Sequence, residues 1–183
     1  MNVQFEITYQ CNNRCIFCYN GCDSRSICPV STEGAKRILH NLVANGVLGV
    51  NFNGGEPLAR DDFFELAAYA KDLGLDIHLN TNATLICDEI VAKKIAALFP
   101  AVCTSVLSFT PSLHDRLCGR EGAFLETIEG IQRLQTEGVY VAVNVMLCKE
   151  NAADLLGILE LLRTLDVQTV LVTRFVSCGG SDR

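Results

Sequence analysis

The sequence predicts an α/β fold, a partial (β/α)6 barrel of parallel strands with outer helices, and three observations carry the prediction. Strand-like β-branched runs and amphipathic helical patterns alternate along all 183 residues, with no low-complexity segment or linker between them. Strict alternation requires right-handed crossovers between parallel strands. Second, the strands separate their residues by parity. In the fifth, Val139, Val141, Val143, Val145 and Leu147 alternate with Tyr140, Ala142, Asn144 and Met146; in the third, Ile77 and Leu79 alternate with Asp76, His78, Asn80 and Asn82. Residues two apart share a face, so each strand has one apolar side for helices and one mixed side. An open sheet covered on both faces is apolar on both, whereas a curved sheet lining a site is not. Third, the residues with distinctive chemistry follow the first and second strands, at the end where parallel barrels place their active sites.

The elements follow in order. Residues 3 to 9 alternate as a strand, with Gln4, Glu6 and Thr8 opposite Phe5 and Ile7. Ser31 caps a helix whose apolar positions Ala35, Ile38, Leu39, Leu42 and Val43 keep helical spacing until Gly46. A strand runs from Val47 to Asn53, with Asn51 and Asn53 opposite Val50 and Phe52, and stops at Gly54-Gly55-Glu56-Pro57. Asp61 and Asp62 open the second helix, with apolar Phe63, Leu66, Ala67 and Ala70, and Gly74 closes it. Leu75 to Thr81 is the third strand. Asp88 caps the third helix, which carries Val91, Ile95 and Leu98 and is ended by Pro100. The fourth strand spans Val102 to Phe109, and a longer loop leads to a helix from Phe124 to Glu137, closed by Gly138. Val139 to Leu147 is the fifth strand, Asn151 caps the fifth helix, and Gln168 to Phe175 is the sixth strand. Val176 to Arg183 has no helical period, so the last helix is missing and one edge of the sheet is expected to be uncovered.

Composition excludes several function classes. With 49% hydrophobic and 20% charged residues the chain fills a single core. Its net charge of −6 opposes a general nucleic-acid grip, which needs a basic face. No apolar run reaches the length of a membrane span, and residues 1 to 10 lack the features of a signal peptide, so a cytoplasmic location is expected. Ten cysteines in such a chain favour reduced thiols holding metal over disulfides.

Three of those thiols, Cys11, Cys15 and Cys18, fall within one short loop after the first strand, with Phe17 and Tyr19 flanking the last. Three thiolates on one loop leave a metal centre with an open coordination position, where a small molecule binds. Spacing alone leaves another reading open. Cys22 or Cys28 completes a four-cysteine zinc knot without catalytic work. After the second strand, Gly54 and Gly55 let a ligand approach the backbone, Glu56 offers a carboxylate to a cation, and Pro57 fixes the turn.

The pattern Cys11-x3-Cys15-x2-Cys18 with Phe17 before the last cysteine, followed by Gly54-Gly55-Glu56-Pro57, resembles the radical S-adenosylmethionine superfamily. Thr81-Asn82-Ala83-Thr84, His114-Asp115-Arg116-Leu117, Gly122-Ala123-Phe124 and Arg174-Phe175-Val176 extend the likeness to its SPASM-type peptide-modifying maturases. The resemblance implies a radical SAM core domain over residues 1 to 183, incomplete at its C-terminus, with a 4Fe-4S cluster on Cys11, Cys15 and Cys18. It implies S-adenosylmethionine on the open iron, with Phe17 and the Tyr19 backbone at the adenine, and Gly54, Gly55, Glu56 and Pro57 at the methionine amino group. Ser108 and Asn144 are its implied contacts to the carboxylate or ribose, and the backbone after Arg174 touches the adenine. The implied chemistry is reductive cleavage to a 5′-deoxyadenosyl radical that takes hydrogen from a peptide or small-molecule substrate. The electron comes from a low-potential donor such as flavodoxin or ferredoxin. The step asks for no general acid or base, and none is assigned.

The sequence departs from the maturases at several points. Thr110-Pro111 stands where they have Asp-Gly, Ala83 replaces a glycine, and Cys118 replaces an arginine that Arg116 or Arg120 is placed to substitute. The maturases continue into a domain of auxiliary clusters, so a C-terminal domain or partner chain is expected beside this core. Cys22, Cys28, Cys87, Cys103, Cys118, Cys148 and Cys178 lack the spacing of a second cluster and read as incidental thiols. Of the isolated histidines 40, 78 and 114, only His78 falls on the polar strand face.

Overall fold

A computed structural model describes residues 1–21 and 30–175. Six strands, β1 (Asn2–Thr8), β2 (Gly49–Gly54), β3 (Asp76–Asn80), β4 (Ala101–Ser105), β5 (Tyr140–Leu147) and β6 (Thr169–Arg174), form one sheet in sequence order. Every neighbouring pair is parallel. The helices are α1 (Thr32–Ala44), α2 (Phe63–Asp72), α3 (Glu89–Leu98), α4 (Pro111–Cys118), α5 (Ala123–Thr136) and α6 (Leu155–Thr164). They pack in succession, α1 on α2, α2 on α3, α3 on α5 and α4 on α5.

Local chemistry sets the boundaries. The Ser31 side chain accepts from Gly34 N and the Asp88 side chain from Val91 N, satisfying N–H groups that the first helical turn leaves free. Residue parity in the strands is reproduced: Val141, Val143, Val145, Ile77, Leu79, Val50 and Phe52 are buried under the helices, while Asp76, His78 and Tyr140 are exposed. The core centres on Phe52, Phe63 and Phe99, whose rings lie 5.8 to 6.5 Å apart, Phe63 and Phe99 stacked at 4°. All three are essentially inaccessible. Phe99→Ala is expected to cost about 3–5 kcal/mol in urea denaturation, because the cavity left between a strand and two helices has rigid walls. A loss under about 1 kcal/mol would show that this cluster is not the centre of the core.

Two elements differ from the sequence expectation. The long loop after β4 contains α4, which starts with Pro111 at its first turn and ends at Gly119 in the left-handed conformation. Its buried face is only His114, Leu117 and Cys118, too polar and short to show a helical period. β4 accordingly stops at Ser105, and Val106 and Leu107 leave the ladder to fill the core. The second difference is at Asn151, whose side chain makes no helix cap. It is fully buried, donates to the Leu107 and Met146 carbonyls at 2.8 and 2.9 Å, and accepts from Cys148 N at 2.8 Å, tying the β4 and β5 exits together.

β1 and β6 are the two edges of the sheet. On β6, Leu171 and Val172 are 45% and 48% exposed. The tail expected to lack a helix, residues 176–183, lies outside the described residues, as do Cys22, Cys28 and Cys178. Among the described residues no helix is long and apolar enough to cross a membrane.

Candidate functional site

The exits of β1 and β2 are locked together. Gly55 N donates to Thr8 O at 2.7 Å and Glu56 N to Gln10 O at 2.8 Å, so the glycine turn runs against the segment that enters the cysteine loop. A Cβ on Gly54, whose φ is +121°, would lie 2.4 Å from Thr8 O, and one on Gly55 would lie 2.2 Å from Gln10 O. The first requirement for both glycines is therefore this backbone approach, ahead of any ligand.

Glu56 is 1% exposed and is not among the residues that line the cavity with Gly54 and Gly55. Its carboxylate accepts from Thr81 Oγ1 and Asn82 N, both at 2.7 Å, and from Leu58 N at 3.0 Å. Three protein donors thus already engage the carboxylate expected to face an ammonium group, and Glu56 binds the β2 turn to the β3 exit. Pro57 likewise sits outside the cavity, at the start of a 3-10 turn. Burial raises the Glu56 pKa to about 7, against the lowering by its three donors. The folded chain then holds more protons than the unfolded one between pH 4.5 and about 7, so this group's contribution to stability falls as pH rises through that window. His114, held down to about 4 by burial, acts in the opposite sense between about 4 and 6.5. The difference between wild type and Glu56→Gln isolates the Glu56 contribution: unfolding titrations should show wild type losing stability relative to the variant from pH 4.5 to about 7. Parallel curves would mean that Glu56 is ionised throughout.

The β3 exit reaches back to the cysteine loop. Asn82 Nδ2 donates to Asn12 Oδ1 at 2.9 Å and lies 3.9 Å from Cys11 Sγ, while Asn12 Nδ2 donates to Thr84 Oγ1 at 2.7 Å. On the other side, Arg14 N and Ile16 N donate to the Cys118 and Leu117 carbonyls at 2.8 and 3.0 Å. Gly119 passes so close that a Cβ there would meet Arg14 O at 2.3 Å. Arg120 donates to Asn13 Oδ1 at 2.8 Å and pairs with Glu126.

These walls enclose a cavity of about 300 Å³ at the C-terminal ends of the strands. Cys11, Cys15 and Cys18 all line it, together with Phe17, Tyr19, Gly54, Gly55 and Asn144. Tyr19 donates through its hydroxyl to Glu6 at 2.6 Å, and Asn144 accepts from Thr173 at 2.9 Å. Ser108 is placed elsewhere. It is fully buried outside the cavity, donating to Asp154 at 2.7 Å and accepting from Thr110 N at 2.9 Å. His78 is half-exposed beside Asp76, whereas His114 lines the cavity with Cys103 and Cys118. Those two thiols, expected to be buried apolar or incidental, are part of the site wall. Neither Arg116 nor Arg120 lines it.

Among the described residues no three His, Cys, Asp or Glu side chains are gathered in metal-binding geometry. The donor set nevertheless fits a thiophilic metal centre: three thiols on one loop share one cavity, and among the described residues no carboxylate lines it. Burial pushes the Cys11 thiol up to about 12, and the hydrogen bond to Cys118, with burial, raises Cys15, so thiolates here require the compensating charge of a cation.

A family model described as the radical SAM superfamily matches residues 5–162. The chain belongs to the radical SAM superfamily. It is 32% identical over 178 residues to the Fe-coproporphyrin III synthase of Methanosarcina barkeri, covering 97% of this chain and 44% of that protein. It is also 32% identical over 171 residues to the PqqA peptide cyclase of Bradyrhizobium diazoefficiens, covering 93% and 45%. The chain thus spans about half the length of the curated relatives it matches. Streptococcus suis SuiB, solved bound to S-adenosylmethionine, superposes with a TM-score of 0.82 at 20% identity over 98% of this chain and 42% of that one. The same protein bound to its precursor peptide SuiA gives 0.80. The partial barrel of parallel strands expected from strand parity is the fold observed, and it matches the radical SAM partial barrel.

Proposed function

We propose that this chain is the core of a radical SAM enzyme that binds a 4Fe-4S cluster and S-adenosylmethionine and acts on a peptide or small-molecule substrate. The observation that carries the proposal is the convergence of Cys11, Cys15 and Cys18 on one cavity with Gly54 and Gly55. Cys11, Cys15 and Cys18 hold the cluster. The backbone of Gly54 and Gly55 receives the methionine end, Phe17 and Tyr19 flank the adenine, and Asn144 reaches the bound molecule from β5. Held there, the cluster and S-adenosylmethionine would supply one-electron reductive chemistry, with a low-potential donor such as flavodoxin or ferredoxin as the source of the electron, for hydrogen abstraction from substrate. The protein's part is orientation and exclusion of water. Among the described residues no Lys, Arg, Asp or Glu lines the cavity, and Phe17, Leu107 and Met146 supply apolar wall.

A peptide substrate is supported by the PqqA peptide cyclase and peptide-bound SuiB, and a small molecule by the porphyrin-named relative. The β6 edge, with half-exposed Leu171 and Val172, is the face on which a C-terminal domain or partner chain packs. The test is anaerobic incubation of the iron-reconstituted chain with dithionite and S-adenosylmethionine. Release of 5′-deoxyadenosine supports the proposal. A colourless, zinc-loaded protein that releases none would make the chain a non-catalytic metal-binding module instead.

A further inference from the structure

The proposed function leaves one thiol of the cavity wall without a task. Cys118, at the last turn of α4, is hydrogen-bonded to Cys15 of the cysteine loop. The backbone builds this contact. Arg14 N donates to Cys118 O at 2.8 Å and Ile16 N to Leu117 O at 3.0 Å, so the residues on either side of Cys15 are laced to the end of α4. Gly119 continues the close approach, since a Cβ there would meet Arg14 O at 2.3 Å. The side chains follow: Cys15 packs on the small apolar cluster of Leu107, Leu117, Cys118 and Ala123, and both thiols line the cavity. Cys11 is engaged elsewhere, accepting from Asn13 N at 3.4 Å and lying 3.9 Å from Asn82 Nδ2. The two sulfurs also differ in access. Cys118 is 5% exposed, whereas Cys15 is only partly buried, so an oxidant entering the cavity meets Cys15 first.

Two sulfurs in contact on segments tied together by backbone hydrogen bonds can be bridged with little movement of the chain. The consequence concerns the fate of Cys15. A cysteine oxidised alone passes from sulfenic to sulfinic acid, which a dithiol does not reverse, whereas one with a thiol beside it is diverted to a disulfide, which a dithiol does reverse. We propose that Cys15 and Cys118 form a reversible disulfide modification site, Cys118 being the resolving thiol that keeps Cys15 recoverable when the cluster-free chain meets a peroxide. The Cys15 thiol takes one oxygen from hydrogen peroxide, giving sulfenic acid and one water. Cys118 sulfur then attacks Cys15 sulfur; the S–S bond forms, the S–O bond breaks, and the hydroxyl leaves with the Cys118 proton as a second water. An external dithiol returns both thiols and is itself oxidised to a disulfide. The hydrogen bond and the burial that raise the Cys15 thiol slow the first step, so the site answers prolonged exposure and not a brief pulse. The inference rests on the function proposed above only in that Cys15 is worth recovering because it holds iron.

The test uses the full chain freed of metal by a chelator, exposed to hydrogen peroxide, alkylated and digested with trypsin without reduction. Cleavage at arginines puts Cys118 in peptide 117–120, Cys15 in peptide 15–25 with Cys18 and Cys22, and Cys11 in the peptide before it. The expected product is peptide 117–120 joined to peptide 15–25 through Cys15, as fragmentation locates it, and absent after dithiothreitol. Cys15 joined to Cys11, Cys18 or Cys22 with Cys118 alkylated would overturn the proposal, as would Cys15 and Cys118 both alkylated after the peroxide is consumed. Iron uptake gives the second readout. After peroxide and then dithiothreitol, wild type should regain most of its capacity for iron, while Cys118→Ala, normal before peroxide, should regain less than about half and carry sulfinic acid at Cys15. Equal recovery of the two proteins would contradict the protective role. Wild type that takes up no iron before any oxidation would overturn the proposed function, and the peptide map, which needs no iron, would still decide this inference.

Discussion

Replacing Cys11, Cys15 or Cys18 by alanine is expected to leave a chain that cannot retain iron, whereas Cys22→Ala, Cys28→Ala and Cys118→Ala retain it. Two thiolates cannot hold a four-iron cluster against solvent, and among the described residues no carboxylate or second histidine lines the cavity to replace the third. Cys118 tests the point sharply. It lines the same cavity and is hydrogen-bonded to Cys15, but it belongs to α4 and lies outside the cysteine loop. Iron and sulfide analysis after anaerobic reconstitution measures the outcome. If Cys22→Ala empties the site as completely as Cys15→Ala, a four-cysteine knot replaces the open-iron reading.

The second large effect is expected at Gly55. A methyl group there would sit 2.2 Å from Gln10 O, a backbone atom that cannot rotate aside. Relief requires parting the β1 and β2 exits, which breaks the Gly55–Thr8 and Glu56–Gln10 hydrogen bonds. Each costs about 1 kcal/mol, and more where a buried group is left unpaired, so Gly55→Ala should lose about 3 kcal/mol of stability. Because Gln10 precedes Cys11, iron content should fall as well. Gly74→Ala is the control. Its Cβ would meet nothing within 4 Å, and only the φ of +83° is strained, at about 1–2 kcal/mol, so iron content should stay normal. A Gly55→Ala protein as stable as wild type would refute the clamp.

Much of the fold was legible because parity and caps are local signals. The alternation of Val141, Val143 and Val145 with Ala142 and Asn144 announces one covered and one polar face, and Ser31 and Asp88 cap where their positions say. The cysteines were legible for the same reason, since ligands on one loop are close in sequence. What escaped depends on contacts between distant segments. Glu56 offers a carboxylate at the right turn, but only the fold shows Thr81, Asn82 and Leu58 already donating to it. Ser108 falls after β4 rather than within it, because α4 begins so early that Val106 and Leu107 turn into the core. His114 looked isolated for want of neighbours in sequence, and its partners Cys118 and Phe124 meet it through α4 and the start of α5. One signal was available: Thr110-Pro111 and Gly119 bracket a helix start and stop, and a helix there places His114 and Cys118 on one face. Ala83 is a further case. Its φ of 62° lies in the left-handed region that favours glycine, so an alanine is held there at the expense of local strain.

The central claim is that three cysteines leave one iron of the cluster open to S-adenosylmethionine, and electron paramagnetic resonance tests it most directly. The chain is reconstituted anaerobically, reduced with dithionite, and its spectrum recorded with and without S-adenosylmethionine. An open iron predicts a reduced-cluster signal whose g-values change on addition of the ligand, with about four irons per chain. A cluster signal identical with and without ligand, or a metal-loaded chain with no reducible centre, would contradict the account.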